Sequence, residues 1–321
     1  MVSRFQQRVM ACFQALAAGD AIGKQTETLS GAEVRRWYPA GITGFHGQPG
    51  DVIPRYAGKR YEWRIGETTD DTEQTLAVTR ALLREGRADH AAIGRELLQC
   101  RKSLHPGVSL WSFVEAGDPA RIATEGDGCG AAMRSAPIGV LYPSSRLDEL
   151  VRAAHECSIP THGGPMAIGA AAAAAGAVSA AVEGKPAAEV LDLALRAAGP
   201  QMASLIAERH ADVANGKPLP FPNSPQTIVP LAIALAVTTQ SARQTSLLAA
   251  NLGGDADSVA SIGSAIAGAL RPSTVDQSWL DVVRAVNGDE VLELALIAAQ
   301  RGHRVAARGS RRGQGPGSES Q

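Results

Sequence analysis

Between Gly163 and Val182 the chain runs for twenty residues without an Asp, Glu, Lys or Arg, and most of the run is Ala or Gly. Met166, Ile168, Val178 and Val182 are its only larger apolar side chains. Ala favours the helix but gains little from lipid. Burying such a segment is favourable only where other backbones approach closely enough to touch its short side chains. The run therefore predicts a tightly packed interior helix rather than a membrane span. Composition agrees: 34 Gly accompany only 4 Trp, 4 Tyr and 5 Phe, so the core must be built largely from Ala, Leu, Val and Ile. A second uncharged run, Leu219 to Ala242, is interrupted by Pro220, Pro222, Pro225 and Pro230, which argues against a span there.

Helical periodicity dominates the remainder. Val9, Cys12, Phe13 and Leu16 predict a helix over 4–18, ended by Gly19. Leu76, Leu82 and Leu83 lie on one side of a helix over 72–85. Further helices are predicted at 89–102, 147–157, 165–183, 187–197, 201–214, 226–238, 243–251, 258–270, 277–286 and 289–301. Residues 28–68 read as loop, rich in Gly, and alternating Val/Ile/Thr runs are almost absent. The fold class is all-α: a compact multi-helix array forming one catalytic domain over 1–305, followed by a disordered polar tail over 306–321.

Lys plus Arg number 31 and Asp plus Glu 32, a net charge of -1 that offers no generic grip on nucleic acid or acidic membranes. Cys12, Cys100, Cys129 and Cys157 include no CxxC pair, and the first residues lack an apolar leader. A reduced, cytoplasmic protein is expected.

Two acidic clusters stand out, each opening a predicted helix: Glu67-Thr68-Thr69-Asp70-Asp71-Thr72 and Gly253-Gly254-Asp255-Ala256-Asp257-Ser258. Helix capping needs one such side chain, whereas each cluster supplies two carboxylates and a hydroxyl. Asp70, Asp71, Asp255 and Asp257, with Thr69 and Ser258 and no nearby Cys or His, form a hard, all-oxygen donor set. If folding brings the clusters together, their like charge requires a cation, and Mg²⁺, Mn²⁺ or Ca²⁺ suits oxygen donors better than zinc. Spacing alone leaves open whether they meet.

Three further segments carry candidates. In Gly19-Asp20-Ala21-Ile22-Gly23-Lys24-Gln25-Thr26-Glu27, a sharp turn after the glycine places Asp20 near Glu27, either as a helix end and surface loop or as a source of a catalytic base. Gly126-Asp127-Gly128-Cys129-Gly130 exposes backbone N–H groups able to cradle a phosphate, or simply packs closely on a helix. Thr161-His162-Gly163-Gly164 precedes the Ala-rich run, where His162 is a substrate group or a satisfied structural histidine.

Taken in order, these motifs resemble the ADP-ribosylglycohydrolase family: Gly-Asp-x-x-Gly-x-x-x-Glu at 19–27, Thr-Asp-Asp-Thr at 69–72, and Gly-x-Gly-x-x-x-x-Met-Arg at 126–134. Thr-His at 161–162 and Gly-Gly-Asp-x-Asp-Ser at 253–258 complete the set. The resemblance implies an all-α bundle with two divalent cations, Mg²⁺ or Mn²⁺, in a central cleft. It implies Thr69, Asp70, Asp71, Asp255, Asp257 and Ser258 as metal ligands and Glu27 as the catalytic acidic residue. Asp20, Gly126, Asp127, Gly128, Cys129, Gly130 and His162 fall to the substrate. Ser258 stands where Thr is frequent and keeps the hydroxyl. Asp127 stands where Asn is common, which sets a negative charge where a pyrophosphate would lie.

The activity this implies is hydrolysis of the ribosyl C1 bond of an ADP-ribosylated protein or small molecule, releasing ADP-ribose. The alternatives are a hydrolase of another N- or O-riboside, such as a nucleoside, a non-catalytic ADP-ribose-binding relative, or a two-metal phosphoesterase. An aromatic shelf for adenine would separate the first two, with Trp111 and Phe113 as candidates unless they belong to the core. No nucleic-acid or membrane partner is expected, and the oligomeric state is not legible.

Overall fold

The structure, a computed structural model, describes residues 2–47, 63–102 and 109–302, together with the backbone of two short strands. The expected tail at 306–321 lies outside the described residues. The architecture is all-α. Sixteen α-helices are present among the described residues, with one two-stranded antiparallel ribbon, β1 (Arg55–Tyr56) and β2 (Lys59–Arg60).

The Ala-rich run forms α9 (Pro165–Val182), and 89 % of it is buried. It has the length and apolar composition of a spanning helix, but protein surrounds it: α7 (Ala136–Leu141), α8 (Leu147–Ser158) and α10 (Ala187–Ala197) pack along it. The close approach is literal. A Cβ on Gly139 of α7 would lie 2.3 Å from the Ala175 carbonyl oxygen, so only glycine fits.

The same device joins α1 (Arg4–Gly23) to α14 (Ala256–Leu270). Ser3 and Gln6 cap α1 reciprocally, and the helix runs past Gly19 instead of ending there. The expected stop at Gly19 is therefore incorrect. A Cβ on Gly19 would meet the Ala260 oxygen at 2.6 Å, so this glycine serves helix–helix contact and not chain reversal. Asp20 consequently sits inside a helix, fully buried.

α3 (Asp70–Glu85) buries Leu76, Leu82 and Leu83 and ends at Gly86, whose φ of 71° closes the helix. α12 (Pro225–Thr239) tolerates Pro230 within an apolar, buried stretch. The segment read as loop contains α2 (Gly31–Trp37), held by a reciprocal Ser30–Glu33 cap. Three further short helices escaped the periodicity, α5 (Ser109–Ala116), α6 (Gly130–Met133) and α7. α4 (His90–Leu97) stops short of the expected 102. One large apolar core links α1, α3, α9, α12 and α14, and a smaller cluster around Ile22, Val34 and Trp279 lies under residues 29–42.

Candidate metal and substrate cleft

The starts of α3 and α14 face each other, which brings the two acidic clusters together. Asp20 organises the first. Its carboxylate accepts the backbone N–H of Thr69 (3.0 Å to each oxygen), that of Thr72 (3.1 Å) and the Thr72 hydroxyl. These are the orphan donors of a helix N-terminus, so Asp20 caps α3 from a neighbouring helix. Burial raises its pKa and those hydrogen bonds oppose the shift. The Thr69 hydroxyl in turn accepts from the Asp71 N–H at 3.2 Å.

The second cluster is held by its glycines. Gly253 (φ 76°) and Gly254 (φ 65°) both take the left-handed conformation. Gly254 exchanges backbone hydrogen bonds of 2.8 Å with Thr28 and Leu29, and the Asp255 N–H donates to the Pro222 carbonyl at 2.8 Å. The start of α14 is thereby tied to the segment that follows Glu27.

Between the two helix starts, the Ser258 hydroxyl donates to Asp71 Oδ1 at 3.3 Å, and Ser261 donates to Asp71 Oδ2. Cys129 Sγ donates to Asp255 Oδ2 at 3.2 Å. Burial pushes the Asp71 carboxyl well above its ordinary range, and the charges of Asp257, Asp20, Asp70 and Asp255 add to the shift. Asp257 is raised in the same way, by burial and then by Asp255. Burial and Asp255 also push up the Cys129 thiol.

Lys24, only 3 % exposed, is the cation that faces this set. Its pKa is lowered by burial and held up by Asp257, Asp70, Asp20 and Asp255. It also pairs with Glu27 and lies 4.2 Å from the centre of the Trp63 ring. Glu27 is partly exposed at the end of a 3-10 turn over Lys24–Thr26. A hollow lined by Lys24, Gln25, Trp63, Arg64 and Glu67 opens beside it.

The donor chemistry fits a hard divalent cation. Asp257 Oδ1 is buried with no hydrogen-bond partner, and the neighbouring carboxylates disfavour one another's charge. All six ligands expected from the sequence end in oxygen and lie at these two helix starts. Among the described residues, no three His, Cys, Asp or Glu side chains are grouped closely enough to hold a metal ion in the arrangement seen.

The glycine loop and His162 form the adjoining wall. A Cβ on Gly128 would lie 2.8 Å from His162 Nε2 and one on Gly130 2.7 Å from Cε1, so both glycines admit the imidazole. Asp127 turns elsewhere: its Oδ1 accepts the N–H groups of Met166 (2.9 Å) and Ala167 (3.2 Å) at the start of α9. The expected unfavourable charge beside a pyrophosphate is thus engaged by a helix N-terminus. Cys129 supports Asp255. Asp20 is a buried cap on α3. Phe113 is fully buried, with its ring against Gly94, so it belongs to the core and not to a shelf; the aromatic bordering the hollow is Trp63. Sequence reasoning passed over Lys24, although a lysine set inside an acidic motif was itself a signal. It also passed over Gln74 and gave Arg134 no role; both are buried polar groups visible only once the helices pack.

Comparison with known proteins places this geometry in context. Residues 1–308 match the family model of the ADP-ribosylglycohydrolases. A protein of Archaeoglobus fulgidus is 30% identical over 292 residues, covering 86% of this chain and 91% of its own length. The ADP-ribosyl-[dinitrogen reductase] glycohydrolase of Rhodospirillum rubrum is 31% identical over 137 residues, 40% of this chain and 43% of its own. A solved structure described as an ADP-ribosylglycohydrolase-related protein complex superposes with a TM-score of 0.68 at 27% identity, over 92% of this chain and 98% of its own.

Proposed function

The chain belongs to the ADP-ribosylglycohydrolase family, a family of glycosidases, and from that premise we propose that it hydrolyses the ribosyl C1 bond of an ADP-ribosylated protein or small molecule, releasing ADP-ribose. The observation that carries this reading is the meeting of Asp71 and Asp257, buried at helix starts far apart in sequence, with an unpartnered Asp257 oxygen between like charges.

Thr69, Asp70 and Asp71 would hold divalent cations, Mg²⁺ or Mn²⁺, from one side, and Asp255, Asp257 and Ser258 from the other. Bound there, such cations supply Lewis-acid attraction for vicinal ribose hydroxyls. The chain's own residues do the rest. Asp20 keeps the start of α3 in place, and Cys129 orients Asp255. Departure of the leaving group builds positive charge on the ribose ring, and the surrounding carboxylates favour it electrostatically. Glu27, at the accessible edge, takes the proton from the attacking water, whose oxygen bonds to C1 as the C1–leaving-group bond breaks, and passes that proton to the departing group. Engagement of Asp127 by the start of α9 eases the electrostatic objection to a pyrophosphate, so ADP-ribosyl substrates remain compatible with this residue.

The test is to incubate the purified protein, with Mg²⁺ or Mn²⁺ and with chelator, alongside ADP-ribosylated peptides and nucleosides. Metal-dependent release of ADP-ribose is expected. Release of ribose from nucleosides alone would transfer the enzyme to the riboside reading, and no release from any substrate would end the catalytic one.

A further inference from the structure

Arg134 closes the glycine-loop motif, and the mechanism above leaves it without a task. It is fully buried. Among the described residues its hydrogen-bond partners are all neutral oxygens. Nη1 donates to Gln74 Oε1 (2.7 Å), Nη2 to Thr161 Oγ1 (2.7 Å) and the Cys157 carbonyl (2.9 Å), and Nε also reaches that carbonyl (3.3 Å). A buried guanidinium without a carboxylate in contact is costly, so its geometry calls for a purpose beyond packing.

Two chains of hydrogen bonds leave it. In the first, Gln74 uses its oxygen for Arg134, which turns Nε2 of the amide toward Asp70 Oδ2 at 3.1 Å. In the second, Thr161 Oγ1 lies 2.7 Å from His162 Nδ1. The hydroxyl has one proton and already accepts from Arg134. His162 Nδ1 is the only acceptor within reach of that proton among the described residues. A lone pair on Nδ1 satisfies that proton, whereas an Nδ1–H would make the hydroxyl a double acceptor and leave its own buried proton without a partner, so the pairing favours a neutral ring with its proton on Nε2. Nε2 is the ring atom lying against Gly128, where an added Cβ would come within 2.8 Å of it.

We propose that Arg134 is a positioning residue: through Thr161 it fixes His162 in the Nε2–H tautomer, and through Gln74 it steadies Asp70. His162 then presents a neutral donor to the cleft. It can neither ligate a cation through Nε2 nor act there as a base, and what it recognises is an acceptor oxygen of the substrate, a phosphate or sugar oxygen. That last step rests on the ribosyl reading; the tautomer does not. Burial and Arg134 push the His162 pKa down to about 3, which keeps the ring neutral at ordinary pH.

The test is a long-range proton–nitrogen correlation spectrum of the full chain labelled with ¹⁵N-histidine, recorded without substrate. His162 is identified by its loss in His162→Gln. A protonated Nε2 and a lone-pair Nδ1 are expected. Thr161→Val keeps the shape and removes the hydroxyl; it should shift the tautomer ratio roughly 5-fold toward Nδ1–H, the worth of one neutral hydrogen bond. Thr161→Ser should retain the parental spectrum. Arg134→Lys keeps the charge but loses the fork and should also shift the ratio. A parental ring protonated at Nδ1, or a Val variant identical to the parent, overturns the proposal. If Arg134→Lys does not fold, the Val and Ser pair still decides. Because no substrate is present, failure here leaves the hydrolase reading standing, and absence of hydrolysis leaves the tautomer standing.

Discussion

Glu27 ends a short turn whose next residue, Thr28, holds φ at 68°, an unusual conformation for a β-branched side chain. The Thr28 N–H bond to Gly254 keeps it there and ties the carboxylate to the start of α14. With Glu27 as the proton acceptor, Glu27→Gln lowers kcat by about 10²- to 10⁴-fold while the Tm gain from Mn²⁺ stays as in the parent. A drop of only a few fold would reduce Glu27 to a partner of Lys24. His162 makes a separate prediction about acid. Its pKa falls from 6.5 to about 3 on folding, so protonation favours the unfolded chain. The stability it contributes is complete above 6.5 and declines as pH drops toward about 3. His162→Gln should therefore flatten the stability curve between those limits, measured by urea unfolding across the range. An unchanged slope would mean the ring opens to solvent before it titrates.

Gly23 shows how much the position of α14 depends on its neighbour. A Cβ there would lie 2.5 Å from the Ala256 oxygen and 2.6 Å from the Asp257 Cα. Gly23→Ala must push the start of α14 away, at a cost of about 1–3 kcal/mol. Because the displaced backbone carries Asp257, metal affinity should fall along with stability, whereas an overpacked site remote from the cleft would lower stability alone. Titrating Mn²⁺ against the melting temperature of the variant distinguishes these results. The long helices were legible in sequence because each repeats its apolar face over several turns. Gly19 misled because a glycine that ends a helix and one that lets two helices touch look alike until the second helix is in view. The helices α2, α5, α6 and α7 are too short to establish a period, although Ser30 and Glu33 spelled out a capping box. Asp127 as a cap on α9 was out of reach, since the interaction joins residues 39 apart through tertiary packing.

The two acidic runs could be read as helix starts, but nothing in their spacing encodes the 187-residue closure that sets Ser258 on Asp71. That closure makes the cleft a property of the complete bundle. A divalent cation that binds only the folded chain stabilises it by about 2.7 kcal/mol at 100 times its Kd. Asp71→Ala and Asp257→Ala should abolish turnover and remove most of this gain in calorimetry; a metal-induced rise equal to that of the parent would show that the cation binds elsewhere. The long closure also has a consequence in time. A ribosome adds about 5–20 residues per second. Asp71 therefore waits on the order of 10–40 s before Ser258 is even made, at that same rate. Until then the growing chain carries only one of the two acidic clusters that the proposed cation site needs. On the metal reading proposed above, cation affinity would appear only once Asp255 to Ser258, about four-fifths of the way along the sequence, have been synthesised and packed, so a product terminated before them should gain no stability from Mn²⁺ and be cut faster by protease.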